Sequence, residues 1–454
     1  MHSFCHRSPQ SEDFKKKDKP DGHGSQRSAF SKYLRGTAGE NSRIAVHDAA
    51  WSVIGLKCQL DLAERVYRGA AESLRRCCVP DGLKASGRAR GYRQIWARDS
   101  MITLLGARLI HDDQIQDALH ASISTLRRHR SRAGEIPNNI DSETGRPNFR
   151  AYADGGLWWI IGSSLLEPDP STVRAVLAWY ECQDVDGSGL LQMHEGSDWQ
   201  DLFCTRGKGL YLNCLYVIAL RAAAQQLAVT APAASEHYLR HARHVTDQIN
   251  RLFWYRGDGY TLPHISHTFS TDNQQRDSLG RERWIPPKRH LVDEEYYLPY
   301  LGFRAFGEWF DSLGNLLAIL SGVADQRRSD AILDFIERHS LNTWPLQSLT
   351  PVVRPGDSDW RDYYGALNLP HHYHNGGVWP FIGGFYVAAL VKAGRRVAAE
   401  HALRNLAALN EQGGFNEWHH GESGLPMGVG DQAWSAGMYV FALECVKASR
   451  VDLP

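Results

Sequence analysis

Apolar residues recur every three or four positions along most of the chain, and shorter stretches rich in Gly, Pro, Asp and Trp separate these runs. Such spacing predicts helices, and the intervening stretches predict loops. Alternation of apolar and polar residues, the pattern of a half-buried strand, is scarce. We therefore predict about twelve helices and few strands. The predicted helices are Cys58–Arg76, Met101–Ile110, Asp112–Arg127, Leu157–Leu165, Pro170–Tyr180, Leu210–Leu227, Ala234–Trp254, Ser312–Val323, Ser329–His339, Val378–Ala393, Ala398–Leu409 and Ala433–Ala448.

Twelve helices can pair into six hairpins, with short turns at one end and long aromatic, acidic loops at the other. Six hairpins in a circle make an α/α toroid, so the expected fold class is all-α, an (α/α)6 barrel. We expect residues 44–454 to form it as a single domain. Residues 1–43 are polar and short of core-forming side chains, which predicts a disordered tail.

Charge and composition limit the possible partners. The 454 residues include 51 basic and 51 acidic ones, and no basic stripe stands out, so we expect no nucleic acid partner. Neither a long apolar run nor a secretion signal is apparent, and the eight cysteines have no metal-like spacing, which predicts a cytoplasmic protein without a membrane partner. A neutral carbohydrate fits best, because the 14 Trp and 18 Tyr residues suit the apolar faces of sugars. No oligomeric state is predicted.

Two distant stretches set carboxylates among aromatic and glycine residues. GSDWQDLF holds Asp198 and Asp201 on either side of Trp199, and GGFNEWHHG holds Glu417. Cleaving a glycosidic bond takes one acid that protonates the leaving oxygen and one base that activates water. Aromatic neighbours or a second carboxylate keep an acid protonated near neutrality, so Asp198 or Asp201 is the candidate acid and Glu417 the candidate base.

Two segments near helix starts offer contacts to a sugar. In GYRQIWARDS, Trp96, Arg98 and Asp99 combine a stacking surface, a cationic fork and a carboxylate. Capping of the next helix by Asp99 is the structural alternative. In DGGLWWIIG, we expect Asp154 to cap a helix and to bind hydroxyl groups of the sugar. We expect the indole ring of Trp158 to face the site.

Later segments complete the candidate site. Three segments are each rich in polar and aromatic residues: WFDSLGN, HHYHNGGVWP and FNEWHHGESGLPMGVGDQAW. His371, His372 and His374 lack an acidic or cysteine partner at ligand spacing, so hydrogen bonding is favoured over metal binding. The further candidate binding residues are Trp199, Asp311, His374, Asn375, Trp379, Trp418, Gln432 and Trp434.

The stretch from Asp184 to Glu195 matches the spacing of a calcium loop. A calcium hand needs a helix directly after Glu195, whereas Gly196 and Ser197 follow. A tight turn of Asp and Gly residues is therefore favoured, and no metal or other cofactor is expected.

Together the motifs resemble the six-hairpin glycosidases with an (α/α)6 barrel, over roughly Tyr92 to Leu443. IWARDS and NEWHHGESGLPMG resemble the glycogen debranching amylo-α-1,6-glucosidases. DGGLWWIIG, DSLGNLLAIL and YHNGGVWP resemble the neutral and alkaline invertases, but the Asp-Arg-Arg run that those enzymes carry at their acid is absent.

The resemblance implies roles for particular residues. It implies that Asp201 is the general acid, with Asp198 as a rival, and that Glu417 is the base. It further implies that Trp96, Arg98 and Asp99 line the pocket of the cleaved sugar.

We therefore expect an inverting glycoside hydrolase that acts on an α-glucosidic bond of an oligosaccharide or glucan. Hydrolysis of sucrose, as in a neutral invertase, is the first alternative. A sugar-binding barrel without catalysis is the second, and an epimerase that uses His371, His372 or His374 is the third.

Overall fold

The structure is a computed structural model that describes residues 62–150, 153–255, 294–302 and 306–454, with the backbone of residues 274–276 and 282–284. The predicted tail, residues 1–43, lies outside the described residues, as does the start of the predicted domain at residue 44. Lys57–Pro454 form one compact unit. Within the described ranges, no helix combines the length and the apolar character needed to cross a membrane.

Twelve α-helices form in the described part of the chain, where the apolar spacing predicts them. Two have the predicted bounds, and the others begin or end a few residues away. The helices are α1 (residues 62–77), α2 (Ala97–Ala107), α3 (Asp113–Arg128), α4 (Gly155–Leu166), α5 (Pro170–Glu181), α6 (Leu210–Leu227), α7 (Pro232–Leu252), α8 (Ser312–Leu320), α9 (Gln326–Arg338), α10 (Pro380–Lys392), α11 (Arg396–Gly413) and α12 (Ala433–Ala448). A 3₁₀ helix spans Asp362–Ala366.

Alternate helices form a closed inner ring, in which α2 packs on α4, then α6, α8, α10 and α12 follow, and α12 packs on α2. Every residue of α2 and of α8 is buried, as expected for helices covered on all sides. The intervening helices each bury one stripe. On α3, for example, that stripe includes Ile115, Leu119, Ile123 and Leu126. The all-α (α/α)6 barrel is thus confirmed.

Two glycines close the ring between α2 and α12. A Cβ atom on Gly106 would lie 1.9 Å from the carbonyl oxygen of Gly437, and one on Gly437 would lie 2.6 Å from that of Thr103. Only residues without a side chain let two backbones approach this closely. The contact joins the second described helix to the last one.

Short antiparallel strands occupy the loops that lead from an outer helix into the next inner helix. Because successive helices run in opposite directions, all of these loops lie at the same end of the barrel. The strands are β1 (Cys78–Val79), β2 (Gly82–Leu83), β3 (Gln94–Trp96), β4 (Asn139–Asp141), β5 (Pro147–Asn148), β6 (Lys208–Gly209), β7 (Trp254–Tyr255), β8 (Gln274–Arg276), β9 (Glu282–Trp284), β10 (Tyr296–Tyr297), β11 (Tyr300–Leu301), β12 (Phe310–Asp311), β13 (Leu349–Thr350), β14 (Trp418–His419) and β15 (Pro426–Met427). The sheets are β3-β4-β5 and the pairs β1-β2, β6-β11, β7-β10, β8-β9, β12-β13 and β14-β15.

Candidate active site

A cavity of about 60 Å³ is formed by the entry loops and first turns of α2, α6, α10 and α12. Ten of its lining residues are among the site residues predicted from the sequence. The full lining is Tyr92, Trp96, Arg98, Asp99, Trp199, Asp201, Tyr373, His374, Trp379, Glu417, Gln432 and Trp434.

Glu417 precedes β14 and is only 5% exposed. Its Oε1 accepts a hydrogen bond from the Tyr92 hydroxyl at 3.0 Å, and its Oε2 accepts one from the Val429 amide at 3.2 Å. Burial raises the pKa of Glu417 to about 7, and the charges of Asp99 and Asp201 act in the same direction, whereas the two hydrogen bonds oppose the rise. The group therefore changes protonation near neutral pH, which suits a catalytic acid or base.

Asp201 lies in the loop between α5 and α6, and its side chain is 20% exposed. Its Oδ1 is 3.2 Å from Nε2 of His374. The buried imidazole stacks on Trp379, with centroids 5.2 Å apart, and meets Trp199 edge to face at 5.0 Å. Burial lowers the pKa of His374, against the opposing effect of Asp201, so its ring is neutral at neutral pH.

Arg98 ties α2 to the loop that carries Asp201. Its Nη1 donates to Oδ2 of Asp154 and to the backbone carbonyl of Asp198, both at 3.2 Å, and its Nε is 3.6 Å from Oδ2 of Asp99. Burial raises the pKa of Asp99 to about 6, although the charge of Arg98 opposes the rise. Asp99 lies inside the first turn of α2, which begins at Ala97, and does not cap the helix.

Aromatic rings make up much of the wall. Trp199 meets Trp379 edge to face at 5.6 Å, and Trp434 stacks on Phe381 at 4.2 Å. Flat apolar faces beside polar groups are what a sugar ring requires.

Several lining residues also carry buried polar atoms with no hydrogen-bond partner. Such atoms cost about 1–3 kcal/mol each when they stay unpaired, and polar groups beside aromatic rings suit a ligand rich in hydroxyl groups. They are Nε1 of Trp96, Trp199 and Trp434, Nε of Arg98, Oδ2 of Asp99, Nδ1 of His374 and Nε2 of Gln432.

Asp198, the rival acid, is fully buried and is not part of the cavity lining. Its Oδ1 accepts a hydrogen bond from the Gln200 amide at 2.8 Å. Burial raises the pKa of Asp198 well above its usual value. Of the two aspartates, Asp201 is therefore the one in contact with the cavity.

Asp154 and Trp158 also lie outside the lining. Asp154 stands at the N-cap position of α4, but its side chain makes no capping hydrogen bond. The predicted cap is wrong because Arg98 and the Tyr211 hydroxyl, at 3.0 Å, hold the carboxylate. Trp158 donates Nε1–H to the same hydroxyl at 2.6 Å, so both residues support Arg98 from behind.

Three other predicted binding residues are likewise absent from the lining. Asp311 caps α8 by accepting from the Gly314 amide at 3.1 Å. Asn375 holds its loop, with both ends of its amide bonded to the backbone of Val353. Trp418 is buried, with its ring 5.8 Å from that of Tyr373.

Tyr92 and Tyr373 line the cavity but were not predicted. Tyr92 stands in GYRQIWARDS, close to the predicted Trp96, yet its bond to Glu417 spans 325 residues. Tyr373 has a φ of 45°, a left-handed conformation that a tyrosine seldom adopts. Each tyrosine lies in a segment that was already predicted to form the site, GYRQIWARDS for Tyr92 and HHYHNGGVWP for Tyr373. That position is the signal that could have identified both.

The Asp184 segment forms a turn, as favoured. Asp184 accepts from the amides of Ser188 at 3.0 Å and Gly189 at 2.8 Å, whereas Glu195 pairs with Arg361 at 2.8 Å. Among the described residues, no three His, Cys, Asp or Glu side chains are grouped so as to hold a metal ion.

A closed ring of helical hairpins, with three carboxylates (Asp99, Asp201 and Glu417) at one aromatic cavity, is the arrangement of the six-hairpin glycosidases. The sequence profile for alkaline and neutral invertases matches residues 202–448, more than half of the chain. The chain belongs to this family.

Known proteins agree with this placement. The chain is 27% identical over 352 residues to neutral/alkaline invertase 1, mitochondrial, of Oryza sativa, covering 69% of the chain and 54% of that protein. It is 28% identical to cytosolic invertase 1 of the same species, covering 72% and 62%. It thus spans only about three-fifths of the length of these relatives. A mannosylglycerate hydrolase of Thermus thermophilus, solved with glucose, shares the fold with a TM-score of 0.58 at 15% identity, covering 83% of this chain and 99% of that one.

Proposed function

We propose that the protein is an inverting glycoside hydrolase that cleaves an α-glucosidic bond, with Asp201 as the acid and Glu417 as the base. The observation that carries the proposal is that these two carboxylates, more than two hundred residues apart in sequence, line the same cavity. Asp201 gives its proton to the glycosidic oxygen as the C–O bond breaks and its electron pair passes to that oxygen. Glu417 takes a proton from the water that attacks the sugar from the opposite face.

Sucrose is the first candidate substrate, because the chain belongs to the invertase family and its relatives carry that name. An α-1,6-linked glucan end is the second candidate. It is favoured by the residues after Asp201, which are Leu202 and Phe203 where the invertases have two arginines. Phe203 is stacked on Tyr364 with centroids 4.9 Å apart, so this difference is built into the packing of the loop.

The test is a panel of sucrose, isomaltose and a limit dextrin, with the anomer of the released sugar read by NMR at early times. Inversion on one of these supports the proposal, and retention contradicts it. Sugar binding without hydrolysis of any of them would favour the sugar-binding barrel.

Variants assign the roles of the two carboxylates. D201N and E417Q are each expected to lower kcat by several orders of magnitude with little change in binding, because each group acts in the transition state. E422Q is the matched control, since the Glu422 side chain is 68% exposed and its residue lies outside the lining. Full turnover in E417Q would assign the base to another residue.

The cytoplasmic location expected from the sequence stays a prediction. Relatives with similar identity are named both cytosolic and mitochondrial.

A further inference from the structure

His374 touches the proposed acid from inside the protein. Its Nε2 lies 3.2 Å from Oδ1 of Asp201, and the histidine side chain is 1% exposed. Trp379 and Trp199 fix the plane of the ring. The backbone is held as well, because the His374 amide donates to Oδ1 of Asn368 at 3.0 Å.

The proton on this imidazole has one defined place. Nδ1 is buried without a hydrogen-bond partner, so Asp201 is the group that determines the tautomer. Oδ1 of Asp201 accepts a hydrogen bond in both states of the acid, as a carboxylate oxygen after the proton has left and as the carbonyl oxygen while the proton is on Oδ2. The neutral ring therefore carries its proton on Nε2 and donates it to Oδ1.

We propose that His374 is a positioning residue that binds Oδ1 of Asp201, keeps the acidic proton on Oδ2, and stabilises the carboxylate formed when that proton leaves. The inference rests on the proposed function. A hydrogen bond from N–H to a charged carboxylate is stronger than one to a neutral acid. The interaction thus grows as the proton moves to the leaving oxygen, which is the condition for accelerating that step.

Other charged groups near His374 must be considered with it. The charge of Arg98, on α2, lowers the pKa of His374, whereas Asp201 raises it. Asp99, Tyr373 and Glu417 line the same cavity. None of these four is changed by a substitution at His374. A shift of the pH profile in such a variant therefore reports on the bond to Asp201.

H374F removes the donor and keeps a flat ring for Trp379, whereas H374Q keeps an N–H donor near the position of Nε2. We expect H374F to lower kcat on the natural substrate by about 10- to 100-fold, the value of a hydrogen bond to a charged group. Its alkaline limb of kcat/KM is expected to move up by about one pH unit or more, since loss of the donor favours protonated Asp201. H374Q should keep that limb near the wild-type position.

A substrate that needs no proton donor separates this role from simple structural support. α-D-Glucosyl fluoride leaves without protonation, so H374F should hydrolyse it at nearly the wild-type rate. An equal loss on the fluoride and on the natural sugar, or an unshifted alkaline limb, would overturn the proposal. H241F is the control. His241, on α7, packs its ring against that of Tyr216 on α6 with centroids 5.3 Å apart, and it is not among the lining residues.

The variant D201N distinguishes this inference from the proposed function. Full activity of D201N on the natural sugar would remove Asp201 as the acid, and the proposed function would fail with it. An inactive D201N together with a wild-type profile for H374F would reject only the role of His374. If circular dichroism shows that H374F does not fold, H374N replaces it. The asparagine side chain is too short to place its amide where Nε2 of His374 lies, so it cannot donate to Oδ1 of Asp201.

Discussion

The hydrogen bond from Tyr92 to Glu417 sets a measurable limit on the pH range of the proposed reaction. Glu417 must be ionised to act as a base, and its pKa is raised to about 7. The value of kcat/KM should therefore fall as the pH drops through about 7. Two donors, the Tyr92 hydroxyl and the Val429 amide, favour the ionised form of Glu417. They therefore hold the acidic limb of the pH profile at a lower pH than burial alone would give.

Y92F removes one of these donors and leaves the ring in place. A hydrogen bond to a charged acceptor is worth about 1.5–3 kcal/mol, and about 1.4 kcal/mol corresponds to one pH unit. The acidic limb of Y92F should thus move up by about one to two pH units. At pH 7 we expect kcat/KM to fall roughly 5- to 50-fold, and to recover towards the wild-type value at higher pH.

The assay is kcat/KM against pH for whichever sugar the panel selects, with wild type, Y92F and Y386F compared. Tyr386 is a matched control, because its hydroxyl bonds Asn342 at 3.2 Å and the residue does not line the active-site cavity. A loss of equal size at every pH in Y92F would mean that Tyr92 acts on the substrate and not on Glu417. An acidic limb that moves down would refute the reasoning altogether.

Two further predictions concern stability. G106A should lower the free energy of unfolding by about 1–3 kcal/mol or more, because the added Cβ meets the carbonyl of Gly437. G365A should change it by less than about 0.5 kcal/mol, since nothing lies within 4 Å of a Cβ there; equal effects in urea denaturation would contradict the closed α2–α12 contact. Millimolar calcium should leave the melting temperature unchanged, because Asp184 and Glu195 already bond the backbone and Arg361; a clear rise in melting temperature would show that the segment from Asp184 to Glu195 binds the ion after all.

The helices of the inner ring could be predicted because their apolar residues recur at helical spacing over long stretches. Both α6 and α12 were predicted with the bounds that they have. The start of α2 was missed by four residues, since Ala97 to Ser100 include Arg98 and Asp99 and look like a loop. These charged residues are buried because they pair with each other and with Asp154, and a pairing across 56 residues leaves no mark in local spacing.

The segments of the candidate site were predictable, but the positions of individual side chains were not. Carboxylates among tryptophans and glycines pointed to the loops of Asp201 and Glu417, and both line the cavity. Asp154 has a sequence context that is just as suggestive, yet it faces Arg98 and Tyr211 instead. Which carboxylate borders the cavity depends on how the entry loops pack together, and that is a property of the closed barrel.

The contact of α2 with α12 also has a consequence for biosynthesis. A chain still attached to the ribosome has an open ring until residues 433–448 have emerged, and until then it lacks Gln432 and Trp434 as part of the cavity wall. The apolar face of α2 that Gly437 covers stays uncovered for most of translation, which is when chaperones find their binding sites. The emergence of α12 from the ribosome, and not the synthesis of any earlier hairpin, is thus the event that completes the cavity.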